Sequence, residues 1–115
     1  MSHILPEVRE GWLLGAGEGG ELRLDSDAWF AWLEAATTKS FGYGLFERQR
    51  GCIVGRMTVR KDSRQRGGFY WSVFRRQGGR LRRIYLGRSS EVTRARLEQI
   101  AEQLLAEEGD QAAQV

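Results

Sequence analysis

The residues best equipped for chemistry crowd into positions 67–87, GGFYWSVFRRQGGRLRRIYLG. Five arginines (Arg75, Arg76, Arg80, Arg82 and Arg83) stand among Phe69, Tyr70, Trp71, Phe74 and Tyr85, with Gly78 and Gly79 between the two halves. A guanidinium offers a planar fork of donors that matches phosphates and the guanine edge, and it stacks on aromatic rings. Aromatic side chains in turn pack on sugars and bases. Cations and rings at this density on one hairpin point to recognition of a polyanion, not to bond-making.

The charge distribution points the same way. The 115 residues hold 18 Lys+Arg and 15 Asp+Glu, a net charge of +3. Residues 1–47 carry 3 basic and 8 acidic groups, residues 48–96 carry 15 and 2, and residues 97–115 carry no basic group and 5 acidic ones. Such a basic middle segment suits a polyanionic partner. The plain alternative is a solvated face kept soluble by its charge. All of those 15 basic residues except Lys61 are arginine.

Nothing else in the chain assembles a reaction centre. His3 is the one histidine and lies near the terminus. Cys52 is the one cysteine, so no internal disulfide and no Cys/His metal cluster is expected. Asp25 and Asp27 read as helix caps. No Gly-Lys-Ser/Thr follows the glycines of GAGEGG at 15–20, so they make no phosphate loop. Tyr43, Tyr70 and Tyr85 invite comparison with recombinase nucleophiles, but the companion residues are missing. No enzyme activity, cofactor or metal is expected. No apolar run approaches a membrane span, and MSHILPEVRE lacks the pattern of a signal peptide. The expected location is cytoplasmic, with no membrane partner.

The elements that must position the hairpin follow from periodicity and glycine punctuation. Residues 11–24 predict two short strands around a Gly-rich turn. The next segment predicts a helix capped by Ser26 or Asp25, with Trp29, Trp32, Leu33 and Ala36 as its core stripe, ended by Thr37, Thr38 and Ser40. FGYGLF at 41–46 predicts a short strand. Met57 and Val59 alternate with Arg56, Thr58 and Arg60, which predicts a strand over 53–61. The β-formers of 68–77 and 80–87 flank a tight glycine turn and predict a hairpin beside it. A helix is predicted over 91–107, capped by Ser89 or Ser90, with Val92, Leu97, Ile100, Ala101 and Leu104 on its apolar face.

The expected fold is α+β: a three-stranded antiparallel sheet packed on a C-terminal helix, preceded by a β-hairpin and an α-helix. It forms one domain over 1–108, acidic over 1–47 and basic over 48–108, with a flexible tail at 109–115. Ile84 and Leu86 match Tyr70 and Phe74 as the core side of the hairpin. Trp71, Val73, Arg75, Leu81, Arg83 and Tyr85 then look outward, beside Arg56 and Arg60. On that arrangement Arg75 and Arg83 contact bases or phosphates, and Trp71 and Tyr85 pack against them. Arg56, Arg60, Lys61, Arg64 and Arg66 neutralise phosphates. The competing arrangement has Trp71 and Tyr85 covered by the N-terminal half.

Two resemblances bear on this. Three strands then a helix, with Trp71, Arg75, Arg83, Tyr85, Leu86 and Gly87 at comparable places, resembles the DNA-binding domain of plant ethylene-response factors. It also resembles the arm-site-binding domain of tyrosine integrases from conjugative transposons. Both imply a sheet that reads the major groove while the helix backs it, over residues 53–105. Val73 stands where the plant domain carries an acidic residue, so its base contacts are not carried over. The pattern AWxAWLxxxTxxSF, VRKxxRxRGGxYW, RRxGGxxRxxYLGR and TxxRLExIA is similar to an N-terminal module of bacterial MalT/LuxR-type ATP-dependent regulators. That module also occurs in short standalone proteins. This resemblance implies a sensor or protein-contact role beside a regulator.

The expected function is therefore non-enzymatic binding of duplex DNA through the outer sheet face, as an accessory to transcription regulation or recombination. The first alternative is a protein-interaction module whose partner is a regulator or recombinase. The second is RNA or single-strand binding, where aromatics on a sheet stack bases.

Overall fold

The computed structural model describes residues 5–15, 20–35, 38–63 and 67–113, without the side chains of 109–113. The strands are β1 (Glu7–Arg9), β2 (Trp12–Leu14), β3 (Leu22–Arg23), β4 (Ser40–Glu47), β5 (Cys52–Ser63), β6 (Phe69–Gln77) and β7 (Arg80–Gly87). The helices are α1 (Asp27–Glu34) and α2 (Arg94–Ala113). All seven strands join one mixed sheet in the order β3-β2-β1-β4-β5-β6-β7. This overturns the expected three-stranded sheet with a hairpin ahead of it.

The meander β5-β6-β7 does form, antiparallel throughout. It does not stop at β5, because β4 carries the matching apolar row. Phe41 stands opposite Val59 and Tyr43 opposite Met57, so the core side of β5 continues onto β4. β1 then adds parallel to β4, with Val8 opposite Tyr43. Three residues around one buried valine are too few to show a period-2 pattern. The predicted strands within 11–24 pair as β2 and β3. The β1–β2 turn places Glu10 and Gly11 at φ 52° and 83°, the left-handed pair that a two-residue hairpin requires.

In α1 the Ser26 hydroxyl accepts from the Trp29 N–H at 3.2 Å, which caps the helix as expected. The helix ends at Glu34, earlier than Thr37–Ser40, because Ala35 turns extended. Ala36 and Thr37 lie outside the described residues. Trp29 is buried, donates its indole N–H to Val92 O at 2.8 Å and meets Phe41 edge-on at 5.2 Å. Phe41 in turn lies 5.7 Å from Trp71, so aromatic rings link α1 to the middle of the sheet.

α2 begins at Arg94, after a 3-10 turn at Ser89–Glu91. Its caps are Thr93, whose hydroxyl accepts from the Arg96 N–H, and Asp25, whose carboxylate accepts from the Arg94 N–H. Ser89, expected as a cap, is buried and accepts from the Trp71 indole at 2.9 Å. Leu97, Ile100, Ala101 and Leu104 are buried, and the helix runs on to Ala113. The buried side chains of both helices and the sheet make one cluster. Among the described residues no helix covers the opposite face of the sheet. No described helix is long and apolar enough to cross a membrane.

Candidate nucleic-acid interface

Register and alternation define the two faces. Val59, Val73 and Ile84 stand side by side on the core face. The neighbouring rows, Thr58–Phe74–Arg83 and Arg60–Ser72–Tyr85, therefore lie on the open face. Tyr70 and Arg76 share it by alternation along β6.

This inverts the expected facing of β6. Trp71 and Val73 are 0% and 1% exposed and belong to the core, and Tyr70 and Phe74 take the outer side. Energetics decide the matter. Full burial of a large apolar side chain contributes about 1.5–3 kcal/mol, whereas Tyr tolerates a half-exposed position because its hydroxyl can meet water. A register shift between Trp71 and Ser72 lets Ile84 and Leu86 keep their inward side while Trp71 joins them opposite Gly87. Leu81, Arg83 and Tyr85 do face outward, with Leu81 60% and Tyr85 52% exposed.

The predicted site residues separate accordingly. Arg56 and Arg60 are exposed on the open face; Arg56 lies 3.5 Å from Glu7 and the Arg60 guanidinium lies 5.7 Å from the centre of the Phe74 ring. Arg83 donates to the Tyr70 hydroxyl at 3.0 Å and lies 5.6 Å from the Phe74 ring and 5.9 Å from the Tyr70 ring. Tyr85 lies 5.6 Å from Tyr70 between ring centres. Arg64 and Arg66 fall outside the described residues. Trp71 leaves the site for the core.

Arg75 also leaves it. Its guanidinium donates to Glu108 at 2.7 Å and to Arg56 O at 2.6 Å, and it crosses Gly55, where a Cβ would sit 2.9 Å from Nη2. A side chain at position 55 would displace that guanidinium. Lys61 turns inward as well. Its ammonium donates to Ala35 O at 3.0 Å, tying down the end of α1, and lies 4.1 Å from the Phe69 ring. Burial lowers its pKa, and Glu34 partly offsets this.

Residues that sequence reasoning missed on this face are Tyr70, Phe74 and Arg76. The signal for the rings was amphipathy: Trp71 and Val73 are the better core pair, and they continue the Met57–Val59 row.

The acidic groups of α2 meet the other side. Arg82 pairs with Glu107 through two hydrogen bonds, at 2.8 and 3.0 Å, which hold the Glu107 carboxyl below the usual carboxylate range. Glu98 accepts from the Tyr43 hydroxyl and Glu102 from Arg48. Arg75 and Arg82 are thus neutralised under α2, whereas on the open face Arg60 and Arg83 lie against rings and Arg56 is paired with Glu7. An open cleft of about 670 Å³ lies at the end of α1, lined by Glu34, Thr38, Lys39, Arg60, Lys61 and Phe69 among others.

The chain matches no family model, no curated protein and no solved structure.

Proposed function

We propose that the open face of β5–β7 is a non-enzymatic platform for single-stranded nucleic acid, acting in the cytoplasm. The observation that carries this reading is one face shared by Tyr70, Phe74 and Tyr85 with Arg60, Arg76 and Arg83, while the acids of α2 lie on the opposite side. Rings stack bases whatever their identity, and arginines between them hold the backbone. Sheet width favours a single strand over a duplex. Seven strands at about 4.8 Å spacing span more than the roughly 12 Å of a major groove.

Duplex DNA remains the second reading, because β6 and β7 end the sheet. A two-stranded ribbon with exposed Arg76, Arg80 and Leu81 near its turn suits a groove that the whole sheet does not.

Fluorescence anisotropy with a labelled single strand, competed by unlabelled single strand and by duplex, tests both. The expected result is single-strand binding that weakens linearly in log–log salt and is cut about tenfold or more by the pair Arg60→Ala and Arg83→Ala. Better competition by duplex puts the ribbon reading first. No binding at low salt defeats both and turns attention to a protein partner.

A further inference from the structure

Ser72 sits in the middle of the open face and is 0% exposed there. Its cross-strand neighbours are Arg60 on β5 and Tyr85 on β7. Tyr70 and Phe74 flank it on the same side of β6. The Tyr70 and Tyr85 rings close over this region at 5.6 Å between centres, tilted by 42°. Among the described residues the Ser72 hydroxyl has no hydrogen-bond partner.

Crowding by the rings explains a small residue at this position. It does not explain a hydroxyl. An alanine would fill nearly the same space without burying an unpaired donor and acceptor, and such burial is unfavourable. A group left unpaired in the free protein can be satisfied by a partner that arrives with a ligand.

We propose that Ser72 is the polar floor of a slot for one unstacked nucleobase, which enters between Tyr70 and Tyr85 and takes the hydroxyl's hydrogen bond. This rests on the single-strand reading above. A base sandwiched by two rings needs them near parallel and roughly 7 Å apart, twice the stacking rise of about 3.4 Å, so the pair must both part and turn out of its 42° tilt. The Arg83 bond to the Tyr70 hydroxyl steadies one wall. Arg60 stands beside the slot on the neighbouring strand and is placed to hold the adjoining phosphate. Stacking supplies affinity without discrimination, and the hydroxyl supplies discrimination by geometry, because only a base edge that places a donor or acceptor within its reach satisfies it.

The test titrates the full chain and Ser72→Ala with labelled deoxythymidine, deoxycytidine and deoxyadenosine homopolymers of about 12 nucleotides. The wild type is expected to separate the best base from the worst by about tenfold, the worth of one good hydrogen bond. Ser72→Ala is expected to compress that range to about threefold or less, by losing affinity for the best base, and to melt at or above the wild-type temperature. Unchanged base ranking in Ser72→Ala overturns the slot and leaves the platform standing. A variant that loses affinity for all three homopolymers equally and melts lower makes the hydroxyl structural and also overturns the slot. Failure of the wild type to bind any of the three overturns the platform itself, a result distinct from the other two.

Discussion

The two faces of the sheet hold arginine in opposite ways. Under α2, Arg75 and Arg82 are hydrogen-bonded to Glu108 and Glu107, with side chains 15% and 41% exposed. On the open face, Arg60 and Arg83 lie against Phe74 and Tyr70 instead. A carboxylate consumes the fork of a guanidinium. An aromatic ring supports its flat surface and leaves edge donors for a ligand. Segment charge therefore overstates the binding surface: 15 basic residues over 48–96 include several whose counter-charges are built into the fold. What matters for function is which side of the sheet each one occupies.

The sharpest way to break this contrast is to truncate one ring on each face. Trp71→Ala removes a fully buried indole and its bond to Ser89. It is expected to cost about 3–5 kcal/mol in urea unfolding. Tyr85→Ala, at 52% exposure, is expected to cost about 1 kcal/mol or less in stability and to weaken oligonucleotide binding by about 1–3 kcal/mol. Equal stability losses in the two variants would show that the faces are assigned wrongly.

A smaller effect separates the two kinds of arginine. Arg75→Met takes the guanidinium from Glu108, which among the described residues keeps only the 3.4 Å bond from Gln77, and from Arg56 O, and is expected to destabilise the fold by about 1–3 kcal/mol. Its effect on binding should be slight once the folded fraction is accounted for. Arg83→Met should leave stability within about 0.5 kcal/mol and lower affinity. A double-mutant cycle of Arg83 with Arg75 should show no coupling in binding, and a measurable coupling would merge the two sets.

Much of this was legible in sequence, and the misses share a cause. The β5–β7 meander, the cap at Ser26 and the buried faces of both helices followed from local pattern, because each is decided within a few residues. The seven-stranded sheet was not legible: β1 is three residues long, and its parallel pairing with β4 spans more than 30 positions. The facing of β6 was lost for a related reason. Both of its faces are rich in β-formers and each carries an arginine near its end. Only the cross-strand row Val59–Val73–Ile84 selects the inner one. Arg56, Arg60, Arg83 and Tyr85 lie on the open face as expected because their own strands alternate cleanly. Arg75, Lys61 and Trp71 do not, because their partners lie on α2, at the end of α1 and at Ser89.

The core side should also answer to pH in a way the open face does not. Tyr43 is 2% exposed and donates to Glu98. Burial first, then that hydrogen bond, pushes its pKa well above the ordinary value of 10.0. A raised folded pKa means that the native state keeps a proton which the unfolded chain releases. Its stabilising contribution is whole below pH 10.0 and declines as pH rises past it. Tyr43→Phe removes the titrating hydroxyl and leaves the ring in the core. At neutral pH the variant should lose about 0.5–1.5 kcal/mol, the worth of one hydrogen bond. Above pH 10 its unfolding free energy should fall less steeply than that of the wild type, so the two curves converge. Urea midpoints measured on either side of that pH, with Tyr85→Phe as the open-face control, decide it. Parallel alkaline limbs for Tyr43→Phe and wild type would mean that the buried hydroxyl does not govern alkaline unfolding, and would remove pH response from the list of ways in which the two faces differ.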